Sequence, residues 1–173
     1  VNGLLEIAKA NATVTANSGV LTYNGGNQTV SGFTATGLVG GETQAVLTGV
    51  SASRTEKNAG TYSVSASGVD GNYNLSFVDG VMTINKAALV ATGNSAAVTY
   101  NGANQTVTGF TVSGLQGLDT VDDLVSISAS GATGKNAGSY TNTVTAGLEA
   151  NYTVSTVNGL LEIAKANATV TAN

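Results

Sequence analysis

The feature that most constrains this chain is that it repeats itself at two scales. Residues 1–17, VNGLLEIAKANATVTAN, recur without change at 157–173, a spacing of 156. A looser echo falls halfway: TYNGGNQTVSGF at 22–33 answers to TYNGANQTVTGF at 99–110, KNAGTY at 57–62 to KNAGSY at 135–140, and VDGVMTINKA at 78–87 to VNGLLEIAKA at 157–166. A period of about 78 residues is too long for one coil of a solenoid and long enough for a small domain, so the chain reads as tandem modules. The repeat divides it into a last strand of a preceding module at 1–10, β module one at 11–87, β module two at 88–166, and the first strand of a following module at 167–173. No linker-like stretch separates the modules, since NKAALVAT runs from one strand pattern straight into the next, so they are expected to form an elongated, semi-rigid rod.

Within each module the apolar residues alternate as strands require. NYNLSFVDGVMTINKA places two alternating runs around Asp79 and Gly80, a pair suited to a type I′ hairpin turn, which would set Phe77 opposite Met82 and Leu75 opposite Ile84. The copy around Asn158 and Gly159 would pair Val154 with Ile163 and Thr156 with Leu161. Tyr62, Val64 and Ala66 share an inward face, as do Phe33 with Ala35 and Phe110 with Val112, and further strands are expected over 46–53 and 124–130. Asp119 to Asp123 reads as a loop or a single helical turn. Asn142 falls on the inward parity of its strand, so a bulge or a strand end is expected there. Six or seven short strands per module predict an all-β chain of two tandem small β-sandwich modules of immunoglobulin type, with a β-grasp-like sheet carrying one short helix as the alternative.

Composition closes off whole classes of function. The chain has no Cys, His, Trp or Pro, which removes thiolate nucleophiles, imidazole bases and the usual zinc ligands. Thr, Ser, Asn and Gly fill 81 of the 173 positions, favouring strands and turns over helices. A net charge of -4 with only six basic residues offers no footprint for a phosphate backbone, so no nucleic acid partner is expected. The apolar runs are far shorter than the ~20 residues that cross a bilayer, so no membrane insertion is expected either.

The ordered set of TYNG, then GL followed by GET or GLD, then NAGTY or NAGSY, then NY and a closing VDGVMTI resembles the MBG and YDG-type repeats of bacterial surface proteins, over essentially all 173 residues and twice over. The resemblance implies a tandem β-module in a large secreted or surface-anchored adhesin, often a two-partner-secreted exoprotein of the filamentous haemagglutinin kind. The usual YDG triplet reads Tyr23-Asn24-Gly25 and Tyr100-Asn101-Gly102 here, which keeps the turn chemistry and removes a carboxylate.

The candidates for chemistry each have a plainer reading beside them. Asp119, Asp122 and Asp123 form the only acidic cluster, but their spacing lacks the alternating ligands of a calcium loop, and a solvated turn is favoured. Asn-x-Ser/Thr triplets at Asn11, Asn27, Asn74, Asn104, Asn151 and Asn167 match glycosylation acceptors, a modification that the resemblance also implies, in a chain so rich in these residues that chance supplies them. Lys57 and Lys135, each beside an Asn, read as turns before a strand rather than as isopeptide donors. Tyr23, Tyr62, Tyr100 and Tyr140 could present a stacking surface for sugars; burial of the ring with the hydroxyl tied to a loop carbonyl is the favoured alternative. Ser, Thr and carboxylates are present without a base or an oriented pair, so no catalytic, cofactor-binding or metal-binding residue is assigned, no cofactor is expected, and an enzyme is not expected.

What remains is a mechanical role: a stalk or spacer of a bacterial cell-surface or biofilm-matrix adhesin, outside the cell, each module adding roughly 25 to 30 Å. Its expected partners are further copies of the same repeat, together with laterally associated identical fibres or surface glycans. A glycan- or mucin-binding module and a self-associating extracellular filament are the alternatives.

Overall fold

The computed structural model describes residues 3–172. The chain divides between Asn85 and Lys86 into two compact units. The first contains β1 (Ala10–Ala16), β2 (Gly19–Thr22), β3 (Gln28–Ser31), β4 (Phe33–Thr36), β5 (Val50–Glu56), β6 (Gly60–Val64), β7 (Ala66–Gly68), β8 (Tyr73–Val78) and β9 (Gly80–Asn85). The second repeats the plan with β10 (Ala87–Gly93), β11 (Ala96–Thr99), β12 (Gln105–Val107), β13 (Phe110–Ser113), β14 (Ile127–Ala129), β15 (Ala132–Gly134), β16 (Gly138–Asn142), β17 (Val144–Ala146), β18 (Tyr152–Val157) and β19 (Gly159–Ala164). The only helical pieces among the described residues are two 3-10 turns, Gln44–Val46 and Val121–Asp123, the second on the expected acidic turn. The all-β reading in two tandem modules therefore holds.

The expected hairpin at Asp79 and Gly80 does not form. A type I′ turn needs positive φ at both central residues, and neither has it. Instead β8 runs parallel to β1, Ala10 opposite Tyr73, and β9 runs parallel to β2, Gly19 opposite Met82. Both pairings carry the same offset of 63, so the first and last strands of the module travel side by side through two consecutive sheets, ordered β4-β1-β8 and β2-β9-β6. Phe77 thus faces Val14, and Leu75 faces Ala12. The second module does the same: Val154 pairs with Leu89 and Thr156 with Ala91, while Leu161 and Ile163 pair with Ala96 and Val98. The alternation read from the sequence survives, because a strand keeps its period of two whichever neighbour it has. Buried Val14, Met82 and Ile84 carry the core of the first module, and Leu89, Leu161 and Ile163 that of the second.

The switch between sheets is held by polar groups from both strands. Ser18 Oγ accepts from the N–H of Val81 at 3.0 Å, and Asp79 Oδ2 accepts from Ser63 Oγ and Ser65 Oγ at 2.6 and 3.1 Å. At the matching place Ser95 Oγ accepts from Leu160 N at 3.0 Å, and Asn158 Oδ1 accepts from Val144 N at 2.9 Å. Asp79 and Asn158 therefore serve the sheet switch rather than a turn.

The expected strand over 46–53 begins only at Val50, after the 3-10 turn, and the one over 124–130 is confined to Ile127–Ala129. Residues 3–9, expected as a closing strand, form no strand, and Leu4, Leu5 and Ile7 are exposed, whereas the same sequence at Gly159–Ala164 is β19 with Leu161 and Ile163 buried. β19 lies between β11 and β16, and residues 3–9 have no such neighbours among the described residues. Residues 165–172 likewise form no strand. Identical sequence with different partners gives different structure, which is how far strand formation depends on pairing.

Candidate functional site

The acidic loop is latched by a tyrosine in each module. Tyr73 and Tyr152 open β8 and β18 with their rings buried. Tyr152 Oη accepts from the N–H of Gln116 at 2.9 Å and donates to Asp119 Oδ2 at 2.6 Å. Tyr73 Oη accepts from Val39 N at 3.1 Å and donates to the Glu42 carboxylate. Burial, followed by the bond to Asp119, pushes the Tyr152 hydroxyl up to about 12, and the bond to Glu42 raises Tyr73. Asp123 Oδ2 accepts from both the N–H and the hydroxyl of Thr120, at 2.7 and 2.9 Å, at the start of the 3-10 turn. Asp122 is exposed. The acidic cluster is thus divided among separate structural tasks, and among the described residues no group of three such side chains could hold a metal ion.

A loss of one hydroxyl tests this latch. Tyr152→Phe removes a charge-assisted bond and a partner of a loop N–H, and is expected to destabilise the second module by about 1.5–3 kcal/mol in denaturant titration. The pH dependence has a definite sign. A folded-state hydroxyl near 12 against 10.0 for the free group means that the unfolded chain releases its proton first, so the stabilisation is complete below pH 10 and is lost between 10 and about 12. The Phe variant should show a flatter fall over that window.

A lysine ahead of each first strand reaches the far loop of its own module. Lys9 Nζ donates to the carbonyl of Asp70 at 2.8 Å and Lys86 Nζ to that of Glu149 at 2.5 Å. The Glu149 carboxylate is buried and accepts from the N–H and Oγ of Ser126 at 2.8 and 2.7 Å. Its burial, the largest single influence, opposes the charged form, yet the bonds from Ser126 and Val125 together with the Lys86 charge outweigh it and hold the carboxyl below its ordinary value. Asp70 in the first module accepts instead from the N–H groups of Asn72 and Tyr73, at 2.7 and 3.1 Å. None of these residues stood out in the sequence; the Lys-Ala pair repeated at each junction was the available signal.

The four tyrosines considered for sugar stacking do not act alike. Tyr62 and Tyr140 donate to the carbonyls of Asn58 and Asn136, both at 3.0 Å, which ties the KNAG loop to its own strand. The Arg54 guanidinium lies 5.6 Å from the Tyr62 ring centre and pairs with Glu56. Tyr23 is buried, whereas Tyr100, expected to be buried with it, is exposed. Lys57 and Lys135 are exposed. Of the Asn-x-Ser/Thr residues, Asn27 and Asn104 lie exposed in loops, Asn11 and Asn74 face each other across β1 and β8, Asn151 is half-buried and Asn167 is exposed.

Asn142 is the most buried polar side chain, and it ends β16 as expected. Its Nδ2 donates to the carbonyls of Asn94 and Gly109 at 3.2 and 2.9 Å, and its Oδ1 accepts from Gly131 N at 2.9 Å. Gly131 sits at φ +72 in a bulge on the facing strand. The registers locate the extra residue: Ala52 and Thr55, three apart, face Ala66 and Thr29, whereas Ala129 and Thr133, four apart, face Val144 and Thr106. The extra residue falls at Ser130–Gly131, between Ala129 and Ala132. It breaks into β14 and β15 what in the first module is the single strand β5, and the first-module position that matches Asn142 is Val64. Tyr73, Tyr152, Glu149 and Asn142 therefore find their partners within their own module.

A comparison with protein families matches the MBG domain (YGX type) twice, over residues 12–83 and 89–162. The chain belongs to this family. No curated protein and no solved structure matches it. The two MBG matches span the first strand to the last in each module, so the parallel pairing of those strands lies inside the family unit.

Proposed function

We propose that these MBG modules are a structural repeat, a stalk or spacer of a large bacterial cell-surface or biofilm-matrix adhesin or extracellular fibre, without catalytic activity. The observation that carries the reading is that the conspicuous polar side chains, Tyr73, Tyr152, Asp119, Glu149 and Asn142, are spent on loops and sheet switches of their own module. A catalytic or ligand site would keep some of them convergent and available. Each module also has its own buried core, so length can be added by adding copies. No helix among the described residues is long and apolar enough to cross a membrane.

The test is small-angle X-ray scattering on chains of two, four and eight modules. A spacer predicts a maximum dimension that grows in proportion to module number. A dimension that saturates, or a glycan array that lights up with the two-module chain, would overturn the reading in favour of a compact assembly or of a binding module.

A further inference from the structure

Three Asn-Gly pairs lie among the described residues, and the fold places them in two environments. Asn24-Gly25 and Asn101-Gly102 occupy exposed loops outside any strand, between β2 and β3 and between β11 and β12. Asn158 is exposed too, but Gly159 is buried in β19 opposite Asn142, and a methyl group on it would come within 2.1 Å of the Asn94 carbonyl oxygen. In the two loops the side chain is already turned towards its own backbone: Asn24 Oδ1 accepts from Gly26 N at 2.9 Å, and Asn101 Oδ1 from Ala103 N at 3.0 Å.

We propose that Asn24 and Asn101 are built-in deamidation sites, by which each module acquires a carboxylate on the same loop as the protein ages. The amide nitrogen of Gly25 or Gly102 gives up its proton to solvent and bonds to the Asn Cγ. Cγ parts from Nδ2, which takes up a proton from solvent and leaves as ammonia, and a cyclic succinimide remains. Water opens the ring to aspartate or isoaspartate, so no oxidant or reductant is needed. Negative charge develops on Oδ1 during the attack, where the N–H two residues on already donates, and the glycine nitrogen has no side chain to shield it. Asn158 Oδ1 also accepts an N–H, from Val144, yet Gly159 is held in the ladder and cannot swing to attack until β19 opens. The aspartate product fits the loop: Asp70 makes the same side-chain turn, accepting from Asn72 N at 2.7 Å. Conversion at both sites makes the chain two units more negative than its present -4. In a long array the charge accumulates in proportion to module number and opposes side-by-side association of a chain that is otherwise poorly charged. That last consequence rests on the spacer reading, whereas the chemistry does not.

The experiment is to hold the folded chain at mildly alkaline pH and body temperature and to follow each site by peptide mass mapping. A parallel sample in denaturant and an Asn24→Gln, Asn101→Gln variant complete it. The expected result is a gain of about one dalton at Asn24 and at Asn101 with release of ammonia, conversion of Asn158 slower by roughly tenfold or more, and convergence of all three rates in denaturant. The Gln variant should gain no charge from these loops over the same period. Conversion of Asn158 in the folded chain at the pace of the other two, or persistence of Asn24 and Asn101 in either sample, would overturn the proposal whatever the chain's mechanical role.

Discussion

Replacing Gly80 or Gly159 with alanine is expected to unfold the module that carries the change and to leave the other one folded. A β-carbon on Gly80 would lie 2.3 Å from the carbonyl oxygen of Asn17 and 2.6 Å from that of Ala16; on Gly159 it would lie 2.1 Å from Asn94 O and 2.6 Å from Gly93 O. These contacts are with backbone, in the segment where β1 passes into β2 or β10 into β11, so no side chain can move aside. Overpacking of this kind costs about 3 kcal/mol or more, a large share of what holds a domain of this size together. Gly71→Ala is the matched control, because it meets no atom within 4 Å and its backbone conformation needs no glycine. It should change stability by less than about 1 kcal/mol. Amide spectra of each variant, assigned by module, check both outcomes. A hairpin turn at Asp79-Gly80 would predict a cost from backbone strain at positive φ, and no crossing strand to clash with.

Exchanging the residues at the matched core positions is expected to damage both modules. Asn142→Val leaves the N–H of Gly131 and the carbonyl of Asn94 buried without the partner they have now, which costs about 3 kcal/mol. Val64→Asn buries an amide where the bulge is missing and the nearby groups are already spent: Gly32 N donates to the Ala52 carbonyl and the Gly32 carbonyl accepts from Asn17 N, each at 2.9 Å. A similar loss of about 3 kcal/mol follows from an unpaired buried amide. Deleting Gly131 alongside Asn142→Val removes the bulge residue and its orphaned N–H together, and should return most of the lost stability. Chemical denaturation of the single and double variants gives the coupling directly; additive losses would show that bulge and amide are independent.

The contrast between these two sites shows what a sequence of this kind reveals. Asn142 was legible because a lone amide on the inward face of an otherwise apolar strand demands an irregularity, and the irregularity is there, mostly on the facing strand. Alternation of apolar residues, tandem modules and the tyrosine hydroxyl tied to the KNAG loop are likewise local or periodic properties. Gly80 was misread because Asp-Gly suits a tight turn in any context, while the actual demand for glycine comes from a strand 63 residues earlier in the chain. The latch of Tyr152 on Asp119 was hidden for a similar reason. The aromatic residue showed only as part of the repeated NY and the carboxylate as a solvated turn, and only the fold reveals that they are partners. Residues 3–9 make the point in reverse, since strand-forming sequence without neighbours to pair with among the described residues stays irregular.

The central claim is that each module is complete in itself, its first and last strands closing on one another. Its most direct test is the unfolding free energy of residues 8–86 produced alone, compared with that of the first module inside the two-module chain. A cooperative transition in the fragment and agreement between the two values within about 1 kcal/mol are expected. A fragment without a cooperative transition, or one whose stability returns only when the second module is attached, would contradict it.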